Sequence, residues 1–273
     1  SARLVSGESV SLPNIFEPET ITAYELGLKG TFWEGRATVS SAVFYNDWRE
    51  IVLRQLIEVD PISGVQFEQP TSFNVNAGDA DVWGAEAELN VNVTDNFSGR
   101  FTVGWADATM KNAIQDAYRD FPSFAAEGFD ELAGDVSGNQ LQRQPEWLLS
   151  GSLNYSRELA GDWEWYVGGD ASYQSGVYVG NDNQGYLPEH TYVNTRLGIK
   201  SGVYTVEFWT RNLFDDRGAI AAFRDIYWAN TDNLYEPRVD QGDRPDFDDF
   251  VPLRYTVTYP RGRTLLVRQR MCC

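Results

Sequence analysis

Chemistry has few places to reside in this chain. A single histidine, His190, must supply any imidazole, and the two cysteines, Cys272 and Cys273, are adjacent at the end. A Ser-His-Asp arrangement would have to run through His190, and no Gly-x-Ser-x-Gly elbow presents a serine to it. A His/Cys zinc centre lacks its ligands, and neighbouring terminal cysteines close no loop. A Cys-Cys end resembles a prenylation signal only superficially, with nothing upstream to support it. Paired carboxylates remain. Glu86 and Glu88 share one face of a strand, a pattern compatible with glycosidase chemistry, although lining a wet interior beside Arg100 is the simpler role. Asp240, Asp243, Asp246, Asp248 and Asp249 offer oxygen ligands to a hard cation such as calcium, but they do not match an EF-hand loop and read as a solvated acidic loop. Asn181-Asp182-Asn183-Gln184-Gly185 reads as turn chemistry, and His190, beside Pro188-Glu189, as a residue at a strand edge. No metal, cofactor or catalytic residue is expected.

Binding has better raw material. Tyr118, Phe121, Phe124 and Phe129 fall in one polar connection, and Tyr227, Trp228, Tyr235, Phe247 and Phe250 in another. Such rings stack on catecholates, sugars or corrin edges; equally, they pack loops on one another. Arg119, Arg143, Arg224 and Arg238 suit an anionic ferric chelate through their forked donors, or pair with nearby aspartates. The expected ligand contacts are Tyr118, Phe121, Phe124, Arg143, Trp228, Tyr235 and Arg238.

The elements that would hold these residues are constrained by composition. The 273 residues carry 22 Lys and Arg against 40 Asp and Glu, a net charge of −18. An acidic excess of this size argues against nucleic acid as a partner, since phosphates need a basic face. Nine Trp, 14 Tyr and 15 Phe are more than a disordered acidic chain carries. No apolar run reaches the roughly 18 residues of a membrane-crossing helix. The mean hydropathy of −0.41 still admits a membrane protein whose lipid face uses alternate residues of each strand.

Alternation is the governing signal. Trp83, Ala85, Ala87, Leu89, Val91 and Val93 are apolar, whereas Glu86, Glu88, Asn90 and Asn92 between them are polar. After Thr94-Asp95-Asn96 the pattern resumes with Phe97, Gly99, Phe101, Val103 and Trp105 against Ser98, Arg100 and Thr102. Two unlike faces joined by a tight turn make a β-hairpin. Similar hairpins centre on Glu34-Gly35-Arg36, Gly161-Asp162 and Ser201-Gly202. The connections between hairpins, near 57–65, 110–144, 175–189 and 215–262, are instead long and polar. Short turns alternating with long loops are the habit of a transmembrane β-barrel, and Trp33, Trp83, Trp105, Trp147 and Trp163 at strand ends fit an interfacial girdle.

The expected strands are 20–33, 36–56, 66–93, 97–112, 145–157, 162–175, 188–200, 203–216 and 262–271. Val251–Tyr259 also alternates but is assigned to an extracellular extension of the last long loop, because a tenth membrane strand would start the chain on the wrong side. Nine antiparallel strands do not close by themselves, since single-chain bacterial barrels have even strand numbers. The chain opens on Ser1 without an export signal and reads as the interior of a longer gene product.

Particular residues then bring a family to mind. Glu17-Pro18-Glu19 through Tyr24-Glu25-Leu26-Gly27-Leu28-Lys29-Gly30, followed by Val43-Phe44-Tyr45-Asn46-Asp47-Trp48, resembles the P-E-x-x-x-x-Y-E-x-G-x-K segment of TonB-dependent outer-membrane receptors. The resemblance continues through Asn76-Ala77-Gly78-Asp79-Ala80, Gly84-Ala85-Glu86-Ala87-Glu88, Pro145-Glu146-Trp147 and Asn212-Leu213-Phe214-Asp215, in the family's order over nearly the whole chain. It implies an all-β fold: an antiparallel transmembrane β-barrel of about 22 strands, of which residues 1–273 would be the C-terminal portion, with 1–19 leading in from an extracellular loop and the plug domain absent. It implies location in the bacterial outer membrane, contact with outer-membrane lipid, and folding by the barrel assembly machinery. Energy would come from the TonB-ExbB-ExbD complex through the missing plug, and the ligand would be a scarce nutrient, by default a ferric siderophore, otherwise cobalamin or an oligosaccharide. The end departs from the pattern: Leu265 to Cys273 lacks the terminal aromatic residue, while Arg268 and Arg270 can sit on the lumen face and Leu265, Val267 and Met271 on the lipid face. Two readings from other classes stay open, a soluble all-β carbohydrate-binding or glycosidase domain, in which one strand face packs a second sheet, and a passive porin.

Overall fold

The computed structural model describes residues 2–7, 9–10, 16–59, 64–115, 134–183, 185–224 and 255–271. In chain order the strands are β1 (Ala2–Arg3), β2 (Ser9–Val10), β3 (Thr20–Phe32), β4 (Ala37–Val59), β5 (Gln66–Asn92), β6 (Phe97–Lys111), β7 (Trp147–Glu158), β8 (Trp163–Gln174), β9 (Val177–Tyr178), β10 (Tyr186–Leu187), β11 (His190–Ser201), β12 (Tyr204–Arg211), β13 (Ala221–Arg224), β14 (Tyr255–Thr258) and β15 (Thr264–Met271). Nine of them form one antiparallel sheet in the order β15-β12-β11-β8-β7-β6-β5-β4-β3, so each strand pairs with its neighbour in sequence apart from small excursions. The pairs β1-β2, β9-β10 and β13-β14 stand apart from that sheet. Among the described residues there is no α-helix, and the sheets besides the nine-stranded one are these three two-stranded pairs.

The turns follow the local chemistry. Trp33-Glu34-Gly35 forms a tight left-handed turn with φ of 54°, 53° and 89°, closed by the Arg36 amide donating to Trp33 O at 2.9 Å. Gly202 takes φ of 49° between β11 and β12, a conformation that glycine adopts without steric penalty. Thr94 and Phe97 exchange backbone hydrogen bonds of 3.2 and 3.4 Å across the β5–β6 turn.

The register carries the alternation around the sheet. Leu26 lies opposite Val43, Val43 opposite Ala85, Ala85 opposite Trp105 and Trp105 opposite Trp147, so one apolar row crosses five strands. One position higher, Tyr24, Tyr45 and Trp83 align, their rings 6.2 and 4.4 Å apart. Tyr24, Leu26 and Leu28 are 63%, 76% and 69% exposed. Apolar surface continuous over this many strands is unfavourable in water and is covered in a membrane protein by lipid.

Three boundaries differ from expectation. Pairing in the first long hairpin continues to Val59 opposite Gln66, so the connection is shorter than 57–65 and the ladder itself rises above the sheet. The strand expected at 203–216 ends at Arg211, because Asn212 adopts φ of 51° and leaves the ladder. The connection 175–189 contains its own small hairpin, β9-β10. Tyr255–Thr258 pairs with Ala221–Arg224 outside the main sheet, and positions 251–254 lie outside the described residues.

Candidate functional site

Two layers have features that could serve function: the polar face of the sheet, and the loop bases above it. On the polar face, Arg100 donates to Glu88 at 2.8 Å and Asn90 donates to the same carboxylate at 2.6 Å. Asn194 reaches Asp170 at 2.6 Å, Arg196 reaches Asn154 at 2.6 Å, and Tyr166 donates to Glu207 at 2.8 Å. The pairing of Glu88 with Arg100 is the wet-lumen arrangement and leaves the Glu88 carboxylate engaged by a cation and an amide donor. Backbone packing accommodates rings here: Phe44 lies across Gly84 and Tyr166 across Gly198, where any Cβ would meet the ring. The sheet curls enough that the β3–β4 turn at Arg36 and Glu207 of β12 line one open cavity of about 960 Å³. Asn154, Tyr166 and Arg196 of the polar face line that hollow, together with Phe97, Tyr155 and Val167.

Above the sheet, the loop bases are held in two ways. Over β4, β5 and β6, Ile51, Leu53, Ala80, Met110, Ala113 and Val136 form a buried apolar cluster, with Trp48, Ala77 and Leu141 against it. Over β11, β12 and β15, the hold is polar. Asn212 is 5% exposed; its Nδ2 donates to Asp216 O at 2.8 Å and to Arg261 O at 3.3 Å, and its Oδ1 accepts from the Asp216 amide at 2.9 Å. Asp215 accepts from the Arg263 amide at 2.8 Å and pairs with Arg217. Both ends of the long excursion between β12 and β15 thus meet at one side chain. Hydrogen bonds from the Thr191 and Gly218 amides hold the Asp216 carboxyl below its ordinary range against the opposing effect of burial. His190 is the first residue of β11, at the edge of the strand, and pairs with Gln174. It is 5% exposed, and its Nε2 lies 2.8 Å from Ala219 O.

Of the seven expected ligand contacts, Arg143 lies among the described residues. It is exposed, adopts φ of 60°, and its amide donates to Tyr178 O at 2.8 Å, at the seam between its own connection and β9. Tyr118, Phe121, Phe124, Trp228, Tyr235 and Arg238 lie outside the described residues, as do the aspartates at 240–249. Asn181 to Asn183 do form a turn, with the Asn183 amide donating to Gly180 O at 3.1 Å, but the turn is buried: Asn181 is 1% exposed. Sequence reasoning passes over the part that these asparagines and Asn212 play. The signal it has is Asn beside turn residues, which does not say what the side chain reaches. Among the described residues no three His, Cys, Asp or Glu side chains gather as a metal site, and no helix is long and apolar enough to cross a membrane.

An antiparallel meander with an apolar outer face, a hydrogen-bonded polar inner face and short turns at one end is the wall of a transmembrane β-barrel. Residues 4–213 match the TonB-dependent receptor-like β-barrel model, and the chain belongs to that family. It is an outer-membrane protein of the Gram-negative type. Solved structures agree on the fold. The siderophore receptor PiuA from Acinetobacter baumannii aligns with a TM-score of 0.64 at 17% identity, covering 97% of this chain and 30% of that one. The ferric yersiniabactin uptake receptor FyuA from Yersinia pestis aligns with a TM-score of 0.61 at 16% identity, over 93% and 30%. The ferric citrate transporter FecA gives 0.55 at 16% identity, over 93% and 31%. The chain therefore spans less than a third of the length of these structures.

Proposed function

We propose that the chain is the C-terminal barrel section of a TonB-dependent receptor that takes up a scarce nutrient, a ferric siderophore, without a catalytic step. The observation that carries this reading is the family match over residues 4–213, laid on a sheet whose apolar face is outward and whose polar face is inward. The names of the similar structures, a siderophore receptor, a ferric yersiniabactin uptake receptor and a ferric citrate transporter, support iron chelates as the ligand class. Residues 1–19 would lead in from an extracellular loop. The plug, and with it the contact to TonB-ExbB-ExbD, would come from a segment outside residues 1–273, and the barrel assembly machinery would insert the whole. Ligand would be met by Tyr118, Phe121, Phe124 and Arg143 in one connection and by Trp228, Tyr235 and Arg238 in the other. Aromatic faces suit planar chelating groups and guanidinium forks suit their anionic oxygens.

Uptake of radiolabelled iron by cells expressing the full-length gene, with and without a working TonB, tests this. Uptake of a hydroxamate or catecholate iron chelate that disappears without TonB is the expected result. Uptake indifferent to TonB, or recovery of the full-length protein in the soluble fraction, would overturn it.

A further inference from the structure

The two connections proposed to meet the ligand leave the sheet at different places, one between β6 and β7 and the other between β12 and β15. The β9-β10 hairpin stands between them and touches both. At its tip, Asn181 Oδ1 accepts from the Gln142 amide at 3.2 Å, Asn181 Nδ2 donates to Gln115 Oε1 at 3.3 Å, and Asn181 O accepts from Asn139 Nδ2 at 2.8 Å. Asn183 bonds both backbone groups of Gln140, at 2.8 and 2.9 Å. The tip is thereby pinned to the base of the first connection at positions on both of its arms. At its root, Val177, Val179 and Leu187 form a buried apolar seat for Ala222 of β13, with Ala219 packed beside it. That strand begins the second connection's own hairpin, where the Ile220 amide donates to Thr258 O at 2.9 Å.

From this geometry we infer that the β9-β10 hairpin is a keystone that couples the two ligand connections, and that Asn181 is its positioning residue. The inference rests on the receptor reading above for the word ligand; the coupling itself rests on the contacts. The side-chain amide of Asn181, a residue that is 1% exposed, is engaged by two partners of a facing loop, the Gln142 amide and Gln115 Oε1, and has no alternative partner in solvent, so its loss frees the tip. The apolar seat is part of the same short hairpin, whose two arms are tied between root and tip by the Val179 amide donating to Gly185 O at 2.8 Å. Loosening one end of a two-strand element with two residues per strand loosens the other, because a short isolated hairpin has little stability of its own. Coupling of this kind is reciprocal.

Hydrogen exchange by mass spectrometry on the purified full-length receptor tests the coupling without ligand. N181A is expected to speed exchange about tenfold at 139–143 and also at 219–222 and 257–258, the scale of losing the bonds of a buried amide. L187A, which cuts the seat from the other side, is expected to speed exchange at 139–143 in return. Unchanged exchange in β7 and β8 establishes that the barrel is intact. Faster exchange confined to one connection in both variants would overturn the keystone. In cells, N181A should raise the half-saturation for a radiolabelled hydroxamate or catecholate iron chelate about tenfold while sparing the maximal rate. An unaltered half-saturation alongside coupled exchange would overturn the positioning role, whereas wild-type uptake indifferent to TonB would overturn the receptor reading and leave the exchange result standing.

Discussion

The β4–β5 hairpin and the β11–β12 hairpin rise from the same sheet and carry their loops by opposite means. β4 and β5 run for 23 and 27 residues, and above the apolar row their ladder continues, backed by the cluster around Met110. β11 and β12 run for 12 and 8, and above Arg211 the ladder gives way to Asn212, Asp215 and Asp216, whose side chains hold the backbone of both departing segments. A long ladder with an apolar cluster resists opening through many small, non-directional contributions. A short ladder with an amide clamp depends on a few directional bonds, so a single atom change opens it. The two connections proposed for ligand capture are rooted one in each system, and the β9-β10 hairpin joins them.

The comparison can be broken most severely at Met110, which is fully buried. Met110→Ala should destabilise the loop layer over β4–β6 by about 2–5 kcal/mol, seen as faster exchange at 134–141 and, more weakly, at 219–222 through the β9-β10 hairpin, with β12 and the Asn212 clamp at 215–218 and 261–263 unaffected. Equal loosening on both sides would contradict the separation. Next comes Asn212→Ala, which strips partners from the Asp216 amide and from two carbonyls; about 1–3 kcal/mol is expected, read as faster exchange at 215–218 and 261–263 with the Met110 side unchanged. Acid sharpens the contrast further. The Asp216 carboxyl sits below its ordinary value of 3.8 in the fold, so its contribution is complete above that value and fades as the pH falls below it. After correction for intrinsic exchange, the segments held by Asn212 and Asp216 should loosen below about pH 4, while the apolar side does not respond. The smallest effect is expected on the polar wall. Arg100 and Glu88 are 60% and 35% exposed at their side chains, so Arg100→Gln should leave the thermal midpoint unchanged within error, at low and high salt alike.

Alternation makes the wall legible in the amino-acid sequence. Trp83 to Val93 and Phe97 to Trp105 each show a period of two, which fixes both the faces and the pairing once the turn is placed. Turn chemistry at Gly35, Asp95, Gly161 and Gly202 accounts for eight of the nine strands, and the alternating segment after Pro260 for the ninth. What alternation misses is where a strand stops for tertiary reasons. Pairing to Val59 is a matter of the partner strand, and the break at Asn212 depends on carbonyls as far away as Arg261. The same holds for Asn181: composition marks a turn there, whereas its burial is set by Gln115, Asn139 and Gln142, distant in sequence. Contacts between loops carry no period and leave no local mark.

One face of this sheet meets lipid and the other a wet interior. Spin labels placed singly along β7 of the full-length receptor in outer membranes test it most directly. Labels at Leu149, Leu153 and Tyr155 should collide freely with oxygen dissolved in the bilayer, and labels at Ser150, Ser152 and Asn154 should not. Collision rates without a period of two, or with the two sets exchanged, would contradict it.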